Sequence, residues 1–293
     1  MITMTTDLVI ERRTTLRYSR FERTWLFHSI MEHCQIFSVN RSFLEHNYES
    51  KIDFYGSNSP NVAKVFLILK ALNLDFNYHH VNWRAGDQYR PEFVKINPNS
   101  KLPAIVDHDV QGEPITVFES GNILLYLATK HGKFVPNALT QTREHTEVLN
   151  WLFWQMANLG PNFGNWFHFA NYAKDKLEYP ITRFHNELRR LFHVLNNTLE
   201  HRKFVAGNDF SVADASIFPW VRIFNYVPEF TAEEFPHVVR WLATVRELPF
   251  VQQWEADDKE YNIKYPFQLP TEEQRKFMFL VDGRQNITQS TQA

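Results

Sequence analysis

The sequence predicts a small α/β domain with a mixed sheet, followed by an all-helical domain. Two observations carry this. Between residues 51 and 133 the hydrophobic period switches repeatedly between two and about 3.6, in the order β-α-β-α-β-β-α. From about Gln141 onward only the helical period recurs. A chain of 293 residues has room for two ordinary domains.

The elements follow in order. Ile52-Asp53-Phe54-Tyr55 alternates as a short strand, and Gly56-Ser57-Asn58 is a turn. Ser59 stands at a capping position, with Pro60 at the favoured first-turn position of a helix over 62–72. Its apolar face carries Val65, Phe66, Leu69 and Leu72. A second strand is expected over 75–81, then a loop over 83–88, a short helix over 91–94 and a turn over 97–100. Strands over 103–106 and 115–117 precede a helix over 119–130. Later helices are expected over 142–169, 174–201, 212–225 and 235–254. The expected domains are 51–133 and 141–262, with a polar, proline-interrupted tail over 263–293.

Residues 1–50 differ from the rest and are expected to be a poorly ordered extension. Five arginines between Arg12 and Arg23 suit a mitochondrial targeting segment within 1–30, but Asp7, Glu11, Glu22 and Glu32 argue against one. Met31 is an alternative internal start. A cytoplasmic location is the expectation.

Composition excludes several classes. The net charge of −2 comes with no long basic run, so nucleic acid is not an expected partner. No apolar stretch reaches 18 residues, so no membrane-spanning helix is expected. The single cysteine, Cys34, rules out an intrachain disulfide, a cysteine-only metal site and a CxxC pair. His168, His185 and His193 lack metal-ligand spacing, so no metal site is expected. Aromatic residues make up 15% of the chain, and those between Trp151 and Phe169 fall on one helical region. They suit a core, a subunit interface or an apolar pocket.

Four motifs, in order and at these spacings, resemble one family. They are Tyr55…Ser59-Pro60-Asn61, the stretch from Asn97 to Ala104, Phe118-Glu119-Ser120-Gly121-Asn122, and Phe210-Ser211-Val212-Ala213-Asp214. Together they resemble the glutathione transferase superfamily over residues 51–262, nearest its nu-class and fungal nitrogen-regulator-like branch of disulfide-bond oxidoreductases. The resemblance implies a thioredoxin-like N-terminal domain, a helical glutathione-transferase C-terminal domain, glutathione as cosubstrate and a homodimer.

What it implies for individual residues has a physical basis. A free thiol has a pKa near ~8.5, and unpaired N–H groups at a helix start favour its thiolate. The resemblance assigns the sulfur contact to Ser59, with Asn61 donating beside it. On sequence alone Ser59 could equally be only a cap. Nu-class proteins commonly carry threonine there, so this serine departs from the pattern. Tyr55 is an alternative hydroxyl, though its alternation turns it toward the core. With no cysteine at this position, mechanisms in which the protein itself forms a mixed disulfide are disfavoured. Leu102-Pro103 matches the family's cis-proline, which would let Leu102 pair with the ligand backbone as an added strand. An ordinary trans-proline at a strand edge is the plain alternative.

Lys101 is placed to attract the glycyl carboxylate, or is simply solvated. Glu119 and Ser120 are matched to the γ-glutamyl ammonium and carboxylate, although a simple cap explains them too. Gln88 matches a glutathione-contacting loop position, and Arg183 a second-domain arginine near the site; each could be an ordinary surface residue. Ser211 and Asp214 form the S-x-x-D pattern of a capping box, a folding motif. The implied chemistry is attack by glutathione thiolate on a disulfide, a peroxide or a small apolar electrophile. The alternative is a regulatory protein of the same fold acting through protein partners. Such relatives carry a long Asn/Gln-rich N-terminus that residues 1–50 lack.

Overall fold

The computed structural model describes residues 51–279. The extension over 1–50, with Cys34 and Met31, and the last part of the expected tail lie outside the described residues.

The first part is a four-stranded mixed sheet with helices on it. The strands are β1 (Ile52–Gly56), β2 (Asn77–His80), β3 (Ala104–Asp107) and β4 (Ile115–Phe118), in spatial order β2-β1-β3-β4. β1 runs parallel to β2 and antiparallel to β3, and β3 is antiparallel to β4. Phe54 sits at the centre, paired with Tyr78 on one side and Ile105 on the other. The crossover from β1 to β2 is helix α1 (Pro60–Leu72), and α2 (Pro91–Ile96) and α3 (Ser120–His131) complete this part. This is the expected thioredoxin-like arrangement.

The second part is helical throughout: α4 (Thr142–Trp154), α5 (Gly160–Phe167), α6 (Glu178–Leu199), α7 (Val212–Val221), α8 (Pro236–Arg246), α9 (Pro249–Lys264) and α10 (Glu272–Phe279). None of the described helices is long and apolar enough to cross a membrane.

Of two expected helices carrying an internal proline, one runs on through π-turns and the other is broken in two. The helix expected over 142–169 holds a π-turn at Gln155–Leu159, where the Gly160 N–H donates to the Gln155 carbonyl five residues back. Pro161 follows and has no N–H to continue the ordinary ladder. The helix expected over 235–254 is two, because Pro249 starts a new one after an extended Leu248. The segment expected as a tail carries α10 and packs back on the body as far as Phe279.

The two parts share one continuous hydrophobic core. Helix α1 lies between them, against α3 on one side and α7 and α9 on the other. Its burial therefore exceeds the single stripe read from the sequence: Val62, Val65, Leu67, Ile68, Leu69 and Leu72 are all buried. At about 1.5–3 kcal/mol per buried aliphatic side chain, these contacts outweigh the several kcal/mol cost of the one charged residue among them, Lys64.

The helical part is pinned by Asp214 on α7. Its Oδ1 accepts from the Val205 N–H at 2.9 Å and Trp241 Nε1 at 3.0 Å, and its Oδ2 accepts from the Ser211 N–H at 3.0 Å and the Ser211 hydroxyl at 3.1 Å. Burial pushes this carboxyl's pKa up against those donors. The capping box expected at Ser211 is thus also a hub that ties a loop and α8 to α7. Asp214→Ala strands buried donors and is expected to cost about 3 kcal/mol or more, read as a lower midpoint in urea unfolding. A loss under about 1 kcal/mol would show that the hub does not hold the helices together.

Candidate functional site

The strand β1 delivers the chain to α1 through Gly56, where a side chain has no room: an added Cβ would lie 2.6 Å from Val62 Cγ1. Three residues later Ser59, in extended conformation, caps α1, its Oγ accepting from the Val62 N–H at 3.2 Å. A hydroxyl has one proton and two lone pairs, so the cap uses a lone pair and leaves the proton free to donate. Pro60 has no N–H, and the Ala63 N–H is taken by the Ser59 carbonyl at 3.0 Å. The Asn61 N–H remains at the positive end of a 13-residue helix. The Asn61 side chain is held by Trp220 Nε1, which donates to Oδ1 at 3.2 Å. Its amide N–H groups are then the donors left to present.

Ser59 stands where two cavities meet. The smaller, of about 280 Å³, is lined by Ser57, Ser59, Asn61, Trp83, Gln88, Ser100, Lys101 and Leu102, with Met278 and Phe279 of α10. The larger, of about 630 Å³, shares Ser57, Ser59 and Trp83 with it and is walled mostly by aromatic rings from both parts of the molecule. Phe66 and Tyr78 come from the first part, Phe163, Phe167 and Trp254 from the second, and Phe267 from the segment before α10. The Arg222–Asp258 ion pair, at 2.8 Å, is its main charged feature, with the guanidinium 4.5 Å from the Trp254 ring centre.

The small cavity carries under-satisfied polar groups on a partly apolar wall. Gln88 Oε1 and Ser100 Oγ are buried without a hydrogen-bond partner, and both residues line it. A ligand carrying amide groups fits such a wall, because it supplies the missing partners. The loop bearing Ser100, Lys101 and Leu102 is shaped by buried Asn97, which donates to the Lys101 carbonyl at 2.7 Å and accepts from the Asn99 N–H at 2.9 Å. The Leu102–Pro103 bond is cis, as the resemblance implies.

Glu119 has a left-handed φ of 67°, a conformation that costs a non-glycine residue energy and gathers at functional sites. Its Oε1 accepts from Asn99 Nδ2 at 3.4 Å. Ser120 opens α3 and is buried, its Oγ 3.3 Å from Lys64 Nζ.

The structure brings together Ser59, Asn61, Gln88, Lys101 and Leu102, with Pro103, Glu119 and Ser120 adjoining them in the chain and through Asn99. It does not bring Arg183. That residue is exposed on α6, 3.9 Å from Glu187, and lines neither cavity. The buried face of α6 runs through Leu188, Leu191, Phe192 and Leu195, and the same period places Arg183 off that stripe. Tyr55 also lines neither cavity and stacks on His79 with ring centres 4.6 Å apart. The aromatic run divides: Trp166 is core, Phe163 and Phe167 face the large cavity, and Phe153 is exposed.

Trp83, Ser100, Trp220, Tyr261 and Met278 were not read from the sequence as site residues. The last three come from distant helices. Only the turn over 97–100 carried a local signal, and it pointed to chain reversal.

Comparison with known proteins finds matches over both parts of the chain. Residues 58–130 match the profile described as Glutathione S-transferase, N-terminal domain, and residues 171–249 that of the C-terminal domain. The disulfide-bond oxidoreductase YfcG of Escherichia coli is 41% identical over 204 residues, covering 69% of this chain and 93% of the relative. Among solved structures, the glutathione transferase YghU of Streptococcus pneumoniae, complexed with glutathione, is 37% identical with a TM-score of 0.65, covering 70% of this chain and 82% of that one. A glutathione transferase of Pseudomonas putida, with one glutathione disulfide per subunit, is 34% identical with a TM-score of 0.64, covering 73% and 94%.

Trp220→Phe keeps the ring and removes the donor that orients Asn61. It is expected to weaken glutathione binding by about 0.5–1.5 kcal/mol in calorimetric titration. Unchanged affinity would show that Asn61 needs no such hold.

Proposed function

The chain belongs to the glutathione S-transferase family of enzymes, and on that premise we propose that it binds glutathione in the small cavity and uses its thiolate to reduce disulfides. The observation that carries this is the position of Ser59. Its free hydroxyl proton and the N-terminus of α1 meet at the junction of a small cavity with unsatisfied polar atoms and a larger, aromatic-lined one.

In this reading the tripeptide lies along the small cavity. Lys101 faces its glycyl carboxylate, Leu102 pairs with its cysteinyl backbone beside Pro103, and Gln88 meets an amide. Glu119 and Ser120 take the γ-glutamyl ammonium and carboxylate. The sulfur rests between Ser59, Asn61 and the helix terminus, where a charge-assisted hydrogen bond and the helix dipole favour the thiolate. Arg183 has no part in it.

The thiolate attacks one sulfur of a disulfide held in the aromatic cavity. A bond forms between the glutathione sulfur and that sulfur, the old S–S bond breaks, and the leaving thiolate takes up the proton lost by glutathione. A second glutathione then resolves the mixed disulfide. The net change is two glutathiones and one disulfide to glutathione disulfide and two thiols. The similarity to a disulfide-bond oxidoreductase and to a structure holding glutathione disulfide favours this over peroxide reduction or conjugation to apolar electrophiles. The aromatic walls would admit those substrates also. A homodimer in the cytoplasm, with a detoxifying or redox role, belongs to the same reading, and light scattering of the purified chain at twice the monomer mass is the expected result.

Ser59→Ala keeps the helix terminus and removes the hydroxyl. It is expected to raise the pKa of bound glutathione thiol by about one unit, since one lost charge-assisted hydrogen bond is worth about 1.5–3 kcal/mol, and to lower kcat/KM for a model disulfide at least tenfold. Ser59→Thr should retain both. Thiolate absorbance titration and a glutathione-dependent disulfide assay are the measurements. Equal rates in wild type and Ser59→Ala would remove Ser59 from the mechanism. Glutathione binding without turnover of any disulfide, peroxide or electrophile would favour a regulatory protein.

A further inference from the structure

Lys64 is a fully buried lysine that the proposed mechanism does not use. Its Nζ lies 2.5 Å from Gln155 Oε1, 3.3 Å from Ser120 Oγ and 3.4 Å from Met156 Sδ. Among the described residues it makes no ion pair, and the charged side chain whose field reaches it is Glu119. An ammonium removed from water without a carboxylate is expensive, and an apolar residue of the same shape would be cheaper at this interface.

The surroundings are adjusted to keep it. Gln155 lies in the π-turn and turns its oxygen to Lys64, which leaves its buried Nε2 without a partner. Gly160 makes room for that amide: an added Cβ would lie 2.8 Å from Nε2. Lys64 donates into Ser120 Oγ, so the Ser120 proton must go elsewhere. The acceptor within the protein is the thioether of Met156 at 3.6 Å, a weak one.

We infer that Lys64 is a positioning residue for the carboxylate-binding end of the site: it aims the Ser120 hydroxyl at the ligand's γ-glutamyl carboxylate and takes up a proton when that carboxylate arrives. This rests on the glutathione reading and adds a coupling to it. A carboxylate accepting from Ser120 stands one hydrogen bond beyond Lys64, inside the same dry interface, while the ligand ammonium is held outward by Glu119. The ligand therefore adds negative charge where it is felt most.

The sign follows from burial. Desolvation lowers the Lys64 pKa well below that of an ordinary lysine, and Glu119 opposes this only in part. The arriving carboxylate favours the charged form and raises that pKa. Between the free and bound values, binding takes up a proton; below the free value it takes up none, because Lys64 is already charged. A lysine that merely pinned α1 to the π-turn would leave only the ligand's own ammonium to exchange protons, and Lys64→Met would not change that exchange.

The experiment is calorimetric titration of the full chain with S-methylglutathione, whose blocked sulfur cannot release a proton. Buffers of different ionisation enthalpy, compared from neutral to alkaline pH, count the protons exchanged. The wild type is expected to take up a fraction of a proton that rises toward one. Lys64→Met is expected to lose that uptake and to bind about tenfold or more weakly. Gln155→Glu, which gives Lys64 a permanent carboxylate partner, should bind without the uptake. Binding by the wild type with no proton exchange at any pH overturns the inference, as does full uptake in Lys64→Met. No binding of S-methylglutathione to the wild type overturns the glutathione reading itself.

Discussion

The burial of α1 between the sheet and the helical bundle is the constraint on which the rest depends. A helix packed on both sides cannot tilt or slide without opening one interface. The position of its first turn is therefore fixed by the core, through Val65, Leu67, Ile68 and Leu69, and not by the loop that precedes it. Ser59 inherits that precision. Polar contacts around the same end repeat the constraint: Trp220 on Asn61, Asn58 on Asn262 at 2.6 Å, and Tyr78 on Tyr261 at 3.1 Å, each joining the first part to the second. Both cavities are thus made at an interface that cannot form until the two parts have packed.

That interface separates two kinds of chemistry by a few residues. On one side are unsatisfied amide and hydroxyl oxygens and a lysine. On the other are aromatic rings with a single ion pair. In the proposed reaction the thiolate forms between them and faces the apolar walls. The segment after α9 extends both walls. The Arg84 guanidinium donates to the Gln268 carbonyl, Phe267 closes on Phe167 with ring centres 6.1 Å apart, and buried Met278 reaches the smaller cavity.

Much of this was legible before any coordinates. Local rules sufficed where the cause is local: Ser59 and Pro60 start α1, and Ser211 and Asp214 start α7, whereas Tyr55, expected to turn toward the core, sits on the half-buried face of β1 against His79. Reading failed where the cause lies elsewhere in the chain or beyond periodicity. The long helix from Thr142 runs on through a π-turn ahead of Pro161, a change of period the sequence pattern did not show, and that turn places Gln155 on Lys64. Arg183 was matched by order along the chain, but the packing of α6 puts it on the outer face.

The sequence by itself determined the order of elements in the first part, the starts of α1 and α7 and the motifs at Ser59, Leu102, Glu119 and Ser211, because capping, turn chemistry and hydrophobic period act over a few residues. Only the tertiary structure decided that α1 is packed on two opposite sides, that Lys64 lies behind Ser120 with no ion pair among the described residues, and that helices from the far end of the chain wall the site. Those outcomes depend on which surfaces exclude water from one another. Contacts between residues a hundred positions apart leave no periodic mark in either segment.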